Sequence, residues 1–302
     1  MKLAFCYWRV AQRALRFVYK NHIASIYDVL MKSNIEFDIY MHSYNMKVFH
    51  NPWGKENKIR VNPEDWRLID PDFFETTNQD DFDATIDIKD YIQPGDNWYK
   101  LHKKTNIGLN HVRELNSLNI VTNMWMPKRD NYDFICYLRP DLEFMNKFSV
   151  SYLDTIMENE IGVPSWGACG GVNDRFSIGK PEHMDIYGKR VINAKVGGQF
   201  LFKESKHRFL RKRNDKGLMA ESFLLKELAE NDVGVIDAPF WFKRVRCDGG
   251  RGHAFKDNFL DEVIEKVVKN NIFKYSESGK MRECEVEIHE NAETVKSFYS
   301  RK

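Results

Sequence analysis

The segment Tyr132-Asp133-Phe134-Ile135-Cys136-Tyr137-Leu138-Arg139-Pro140-Asp141-Leu142-Glu143-Phe144 decides the fold. Its apolar and aromatic run from Phe134 to Leu138 reads as a strand buried on both faces, and it stops at a proline flanked by charges. In an open α/β sheet, ligands bind outside the carboxyl ends of the strands. Asp141 and Glu143 stand at that place in a D-x-E spacing, and on extended backbone side chains two apart point the same way. They are candidate ligands of one hard divalent cation, Mg²⁺ or Mn²⁺, which shares its shell between one or two carboxylates and a substrate's phosphates. Ordinary solvation of a loop accounts for the same spacing.

Upstream, residues 3–8 form a short apolar and aromatic strand ending at Arg9. Leu15, Tyr19, Ile23, Ile26 and Leu30 follow at three- and four-residue intervals, the stripe of an amphipathic helix, and residues 37–41 read as a second strand. Strand, helix, strand within about forty residues is a βαβ opening and favours a parallel sheet. Arg9, at the end of the first strand, is a candidate phosphate contact or a surface arginine in a turn. Residues 44–95 carry turn chemistry at Asn51-Pro52-Trp53-Gly54 and breakers at Asn62-Pro63 and Asp70-Pro71, and are expected to be irregular with one short strand. Leu109, Val112, Leu115, Leu118, Val121 and Trp125 mark a long helix leading into the central strand. Its polar strip offers Arg113 to a ligand or to a salt bridge.

Downstream, a helix is expected over 150–158, then the glycine-rich run Trp166-Gly167-Ala168-Cys169-Gly170-Gly171-Val172-Asn173-Asp174-Arg175-Phe176-Ser177-Ile178-Gly179. Glycines among small residues allow close backbone approach, and here they deliver Asp174 beside Arg175, a candidate acid or base or else a structural ion pair. Pro181 suits the first turn of the next helix. The basic run from Lys206 to Arg213 reads as a solvated loop. Glu221 falls in the first turn of a helix, where the dipole and free amides are expected to lower its pKa, which suits a cap or a general base. After a strand over 233–236, aromatics are followed by Arg244, Arg246 and Arg251, then glycines and His253. Arg244 and Arg246 are candidates for a pyrophosphate, and His253 for a third metal ligand. A helix over 259–273 and a strand over 284–288 form the tail.

Composition bounds the class. The 302 residues are 42% apolar and 14% aromatic, enough for a large α/β domain, and the net charge of +2 gives no field favouring nucleic acid or membrane surface. Five scattered cysteines without C-x-x-C spacing read as reduced thiols of a cytoplasmic protein. Neither a signal peptide nor an apolar span long enough for a membrane is expected.

Together these segments resemble a GT-A-type glycosyltransferase, in particular the small soluble ones of bacteria and of large DNA viruses of algae. The resemblance covers residues 1–255 and rests on Phe37-Asp38-Ile39-Tyr40-Met41-His42, His111 to Leu118, Tyr137-Leu138-Arg139-Pro140-Asp141-Leu142, Val172-Asn173-Asp174-Arg175-Phe176-Ser177-Ile178-Gly179, and Glu221 with Leu224 and Leu228. It implies a GT-A-like, Rossmann-like α/β fold. Residues 1–145 would hold the nucleotide-sugar donor, UDP-sugar favoured, residues 146–255 the acceptor, and residues 256–302 an appendage. The family's D-x-D motif would be Asp141-Leu142-Glu143, completed by His253 around Mn²⁺ or Mg²⁺. Arg9, Arg113, Arg139, Arg244 and Arg246 would serve the diphosphate.

Glu221 would be the base of an inverting transfer to an oligosaccharide or glycoprotein hydroxyl, as in capsid or surface glycan synthesis in the cytoplasm of a cell or viral host. The family's adjacent aspartate is Ser222 here, which keeps Asp174 as the rival base. The alternatives are a sugar-nucleotide nucleotidylyltransferase, against which stands the lack of a glycine-rich, lysine-bearing loop after the first strand, and a non-catalytic glycan- or RNA-binding protein using the basic run.

Overall fold

The computed structural model describes residues 1–92, 97–164, 171–195, 218–250, 272–277 and 280–285. The chain opens with β1 (Lys2–Tyr7), α1 (Leu15–His22), α2 (Asp28–Lys32) and β2 (Glu36–Asn45); α1 and α2 are joined by a π-helical turn, Ile23–Tyr27. The strands β3 (Val48–Asn51) and β4 (Glu56–Arg60) then form a hairpin, followed by β5 (Phe73–Asn78) and α3 (Gln79–Ala84). Two helices, α4 (Asn97–Thr105) and α5 (Ile107–Trp125), lead to the central strand β6 (Phe134–Leu138). The second half contributes β7 (Leu142–Phe144), β8 (Glu160–Val163), β9 (Phe176–Gly179) and α6 (Pro181–Lys189). It continues with α7 (Ala220–Glu230), β10 (Gly234–Asp237) and β11 (Phe242–Arg244). A hairpin of β12 (Ile272–Glu277) and β13 (Lys280–Glu285) follows.

Seven strands form one sheet in the order β10-β8-β9-β6-β1-β2-β5. All neighbours are parallel except β9, which runs against both β6 and β8. This is the α/β, mostly parallel sheet flanked by helices that the sequence leads one to expect. Alternation along the strands sorts side chains into two cores. Leu3, Phe5 and Tyr7 of β1, with Phe134, Cys136 and Leu138 of β6, face the layer holding Leu15, Val18 and Leu30. Ala4, Cys6 and Trp8, with Ile135 and Tyr137, face Leu118, Val121 and Trp125 of α5. Being covered on both sides is why β1 and β6 carry almost no polar residue.

Several local expectations are corrected. Residues 44–95 hold three strands, and one of them, β5, is the edge of the main sheet. Its Phe-Phe-Glu-Thr-Thr-Asn sequence, half in contact with solvent, lacks the apolar run of an inner strand. The helix expected over 150–158 is a short 3₁₀ stretch, Ser151–Thr155. Phe176–Gly179, the end of the glycine-rich run, for which no strand is expected, is the antiparallel strand β9. The tail helix expected over 259–273 lies outside the described residues up to 271, and its last two residues open β12.

The turn after β6 is clamped from behind by the end of α1. Asn21 donates to the Phe144 carbonyl at 2.9 Å and accepts from the Phe144 amide at 2.7 Å, while His22 Nε2 donates to the Leu142 carbonyl at 2.5 Å. β7 pairs antiparallel with β11, bringing Arg244 across from Leu142 and Lys243 across from Glu143. Residues 141–144 and 242–244 are thereby fixed as one small ribbon under the carboxyl edge of the sheet.

Candidate active site

A cavity of about 180 Å³ opens at that edge. Its lining is drawn from strand ends and helix starts: Arg9 beyond β1, Arg139 beyond β6, Asp174 and Arg175 before β9, Glu221 in the first turn of α7, and Arg244 in β11. Asn110, His111 and Glu114 of α5 close one side, and Trp53, 55% exposed, stands at the rim. The N-terminal residues of two helices, Ile107 of α5 and Ala220 of α7, also line it. Neither N-cap residue makes a side-chain cap hydrogen bond, and the positive dipole ends of both helices lie at the cavity.

Buried charge pairs organise the floor. Asp141 is 1% exposed. Arg139 donates to its Oδ1 at 2.9 Å and to its Oδ2 at 2.5 Å, and Arg13 Nη1 donates to Oδ2 at 2.7 Å. Arg13 in turn holds Glu56 through two donors, at 3.1 and 2.6 Å. Burial alone would raise the Asp141 pKa, but Arg139 and then Arg13 overcome it and hold the carboxyl far below its ordinary value. Arg9 pairs with Glu114, whose pKa falls to about 2 because this pairing outweighs the effect of burial. The Arg9 backbone has φ of 99°, a conformation that favours glycine, and it is held there by its amide donating to Ser117 Oγ at 2.6 Å and by Tyr44 N donating to its carbonyl.

The acidic side of the cavity is the pair Asp174 and Glu221, with Arg175 between them. Arg175 Nη2 donates to Glu221 Oε1 at 3.0 Å, and its Nη1 lies 3.6 Å from Asp174 Oδ1. Gly171 permits this closeness: a Cβ there would stand 2.0 Å from the Glu221 carbonyl oxygen, and the Val172 amide donates to that same carbonyl at 3.0 Å. The Glu221 pKa is raised, first by burial and then by the charge of Asp174, against the pull of Arg175. The expected lowering by the helix dipole is overturned, since desolvation and a like charge outweigh it.

The cavity gathers Arg9, Arg139 and Arg244 with Asp174 and Glu221, five of the ten candidates. Arg113 is spent differently. It forms a two-donor pair with Asp83 and also donates to Asn110 at 2.7 Å, lining a smaller adjoining cavity with Tyr44, Phe49 and His50. Arg246 lies against Glu56 at 3.5 Å. His253, the basic run and Trp166 lie outside the described residues.

The metal shell expected of Asp141 and Glu143 does not match these surroundings. Both Asp141 oxygens are taken by guanidinium groups, Glu143 stands across from Lys243, and among the described residues no three His, Cys, Asp or Glu side chains are grouped to hold a metal ion.

Sequence reasoning gave no site role to Arg13, Glu56, His111 or Glu114, although Arg13 falls in the turn after β1 and His111 and Glu114 lie in the α5 segment on which the resemblance rests. The partner of Arg13, Glu56, comes from a hairpin whose position no local pattern gives.

No protein-family model matches the chain, and no curated protein does. Among solved structures it is similar to the galactosyltransferase LgtC in complex with donor and acceptor sugar analogues. The identity is 13% over 74% of this chain and 85% of that one, with a TM-score of 0.28. A superposition that loose decides neither fold nor activity. What the cavity can do therefore follows from its own groups: four arginines and two helix dipole ends that favour an anion, and a desolvated carboxyl, Glu221, whose raised pKa suits proton transfer. Among the described residues no helix is long and apolar enough to cross a membrane.

Proposed function

We propose that the chain is a glycosyltransferase that moves a sugar from a nucleotide-sugar donor to a hydroxyl of a glycan acceptor. The observation that carries this reading is the placement of Glu221 and Asp174 in the same cavity as Arg9, Arg139 and Arg244, at the carboxyl edge of a mostly parallel sheet. The motif resemblance through Arg139-Pro140-Asp141 and Asn173-Asp174-Arg175-Phe176 supports it, because both segments border that cavity.

In the transfer, Glu221 removes the proton of the acceptor hydroxyl. The acceptor oxygen forms its bond to the anomeric carbon as the bond from that carbon to the diphosphate oxygen breaks, and the electron pair leaves with the diphosphate. A single displacement of this kind inverts the anomeric centre. Burial beside Asp174 makes Glu221 a stronger base than an exposed glutamate, which is how a carboxyl is tuned toward neutral pH. Asp174 then acts by its charge on Glu221. Trp53 at the rim offers a face on which a sugar ring can stack.

The test incubates the protein with UDP-, GDP-, CMP- and dTDP-sugars and follows release of the free nucleotide. One donor is expected to be turned over, slowly to water and faster with a glycan acceptor, and Glu221→Gln is expected to suppress both. Turnover of no donor by a folded protein would overturn the assignment.

A further inference from the structure

We propose that the cavity holds the diphosphate of its ligand on guanidinium groups, with Arg244 and Arg9 as the principal contacts, and without a divalent cation. The proposal rests on reading the cavity as a donor site, but its argument comes from how the charges are committed. A cation bound at the D-x-E segment would need oxygen lone pairs from Asp141. Those are occupied by Arg139 at 2.9 and 2.5 Å and by Arg13 at 2.7 Å, with all three side chains buried. Displacing either arginine would leave a buried guanidinium beside a newly added double charge, and repulsion between like charges in a desolvated site is large. The neighbouring carboxylate, Glu143, faces Lys243 across the ribbon.

The charge that a cation would supply is already built in. Six arginines, Arg9, Arg13, Arg139, Arg175, Arg244 and Arg246, stand around five carboxylates, Glu56, Glu114, Asp141, Asp174 and Glu221. Arg244, at the cavity wall, is pushed down to about 8 by burial and then by the charges of Arg175 and Arg139. Arginine does not deprotonate in proteins, so the shift expresses the cost of burying a cation, and then of crowding it with other cations, which a bound anion reduces. The planar fork of arginine also matches phosphate oxygens bidentately. His111 adds a second observation: it is 5% exposed and lines the cavity, its Nδ1 stands 3.6 Å from Glu114 Oε2, beyond hydrogen-bond reach, and among the described residues neither ring nitrogen has a hydrogen-bond partner. A ligand oxygen there would satisfy it, and the N-terminal residues Ile107 of α5 and Ala220 of α7 line the same space, with their positive dipole ends.

Isothermal titration with inorganic pyrophosphate and with UDP, each in EDTA and in Mn²⁺, tests the proposal on the full chain. Binding of either probe in EDTA, within about threefold of its affinity in Mn²⁺, is expected. In EDTA, Arg244→Gln and Arg9→Gln, each checked for a wild-type melting profile, are expected to weaken binding tenfold or more, and Arg244→Lys is expected to recover part of the loss. Binding that requires Mn²⁺ would overturn the inference while leaving the glycosyltransferase reading intact. Unaltered binding by both arginine variants would overturn the guanidinium assignment. Absence of binding by wild type in either medium would overturn inference and donor site together. Metal-free binding of UDP with no turnover of any nucleotide-sugar would sustain this inference and sink the transfer reaction.

Discussion

At the scale of single residues, two carboxyls of the same edge respond to burial in opposite ways. Asp141 has three guanidinium donors and is held far below its ordinary value; Glu221 has one, plus Asp174 beside it, and is raised. The linkage signs follow. A depressed folded-state pKa contributes stability that is present above the ordinary value near 3.8 and is lost as pH falls through the acid range. A raised one contributes at low pH and loses that contribution as pH rises through the folded-state value. Asp141→Asn is therefore expected to destabilise the fold by about 3–5 kcal/mol at neutral pH, because it leaves the buried Arg139 without its paired carboxylate and Arg13 with Glu56 alone. It should also flatten the acid limb of the stability profile, measured by urea unfolding from pH 3 to 7; a variant as stable as wild type would contradict the ion-pair role. For Glu221 the active form is the ionised one, so the transfer rate should rise with pH through a point above 4.5, the ordinary glutamate value. Glu221→Gln should cost about 10²–10⁴-fold in kcat and abolish that limb. A rate limb that survives in Glu221→Gln would pass the role of base to Asp174.

At the scale of elements, the start of α7 is positioned by a glycine from a different segment. A Cβ on Gly171 would stand 2.0 Å from the Glu221 carbonyl oxygen and 2.4 Å from the Ser222 amide nitrogen, and backbone atoms cannot rotate aside as a side chain can. Gly171→Ala should shift the first turn of α7, carry Glu221 off its proton-accepting position, and cost about 1–3 kcal/mol of stability. The check is a pair of measurements, melting temperature and donor turnover. A small loss of stability with turnover unchanged would show that the contact is not what places Glu221. The sequence disclosed the glycine-rich run but not which glycine meets which helix, because close approach is a tertiary fact. Elements with strong local patterns were legible: β6 from its five apolar residues, α5 from its stripe, α6 from Pro181. Those made by partners were not. β5 is a strand because β2 offers it an edge, and β9 is one because β6 and β8 lie on either side.

At the scale of the molecule, the cavity is assembled from both halves of the chain. Arg9, His111, Glu114 and Arg139 come before residue 145, and Asp174, Arg175, Glu221 and Arg244 come after it. Candidates at strand and helix ends were legible because an α/β sheet puts ligands there, whereas the network of Arg13, Glu56 and Asp141 was hidden by separations of 43 and 128 residues. The D-x-E spacing is limited for the same reason: it states which way two side chains point and nothing about the arginines beside Asp141. This assembly predicts how binding is transmitted. The N-terminal residues of α5 and α7 line one cavity from opposite halves, so an anion bound between the two positive dipole ends would tie them together. Hydrogen exchange with saturating UDP should slow at the amides of 107–109 and of 220–222 in the same titration, with one midpoint. A ligand at 100 times its Kd stabilises the native state by about 2.7 kcal/mol, enough for amides that exchange only on opening of the edge to slow by about a hundredfold. Protection confined to one helix start would mean that the ligand sits within one half and that the cavity is not a shared site.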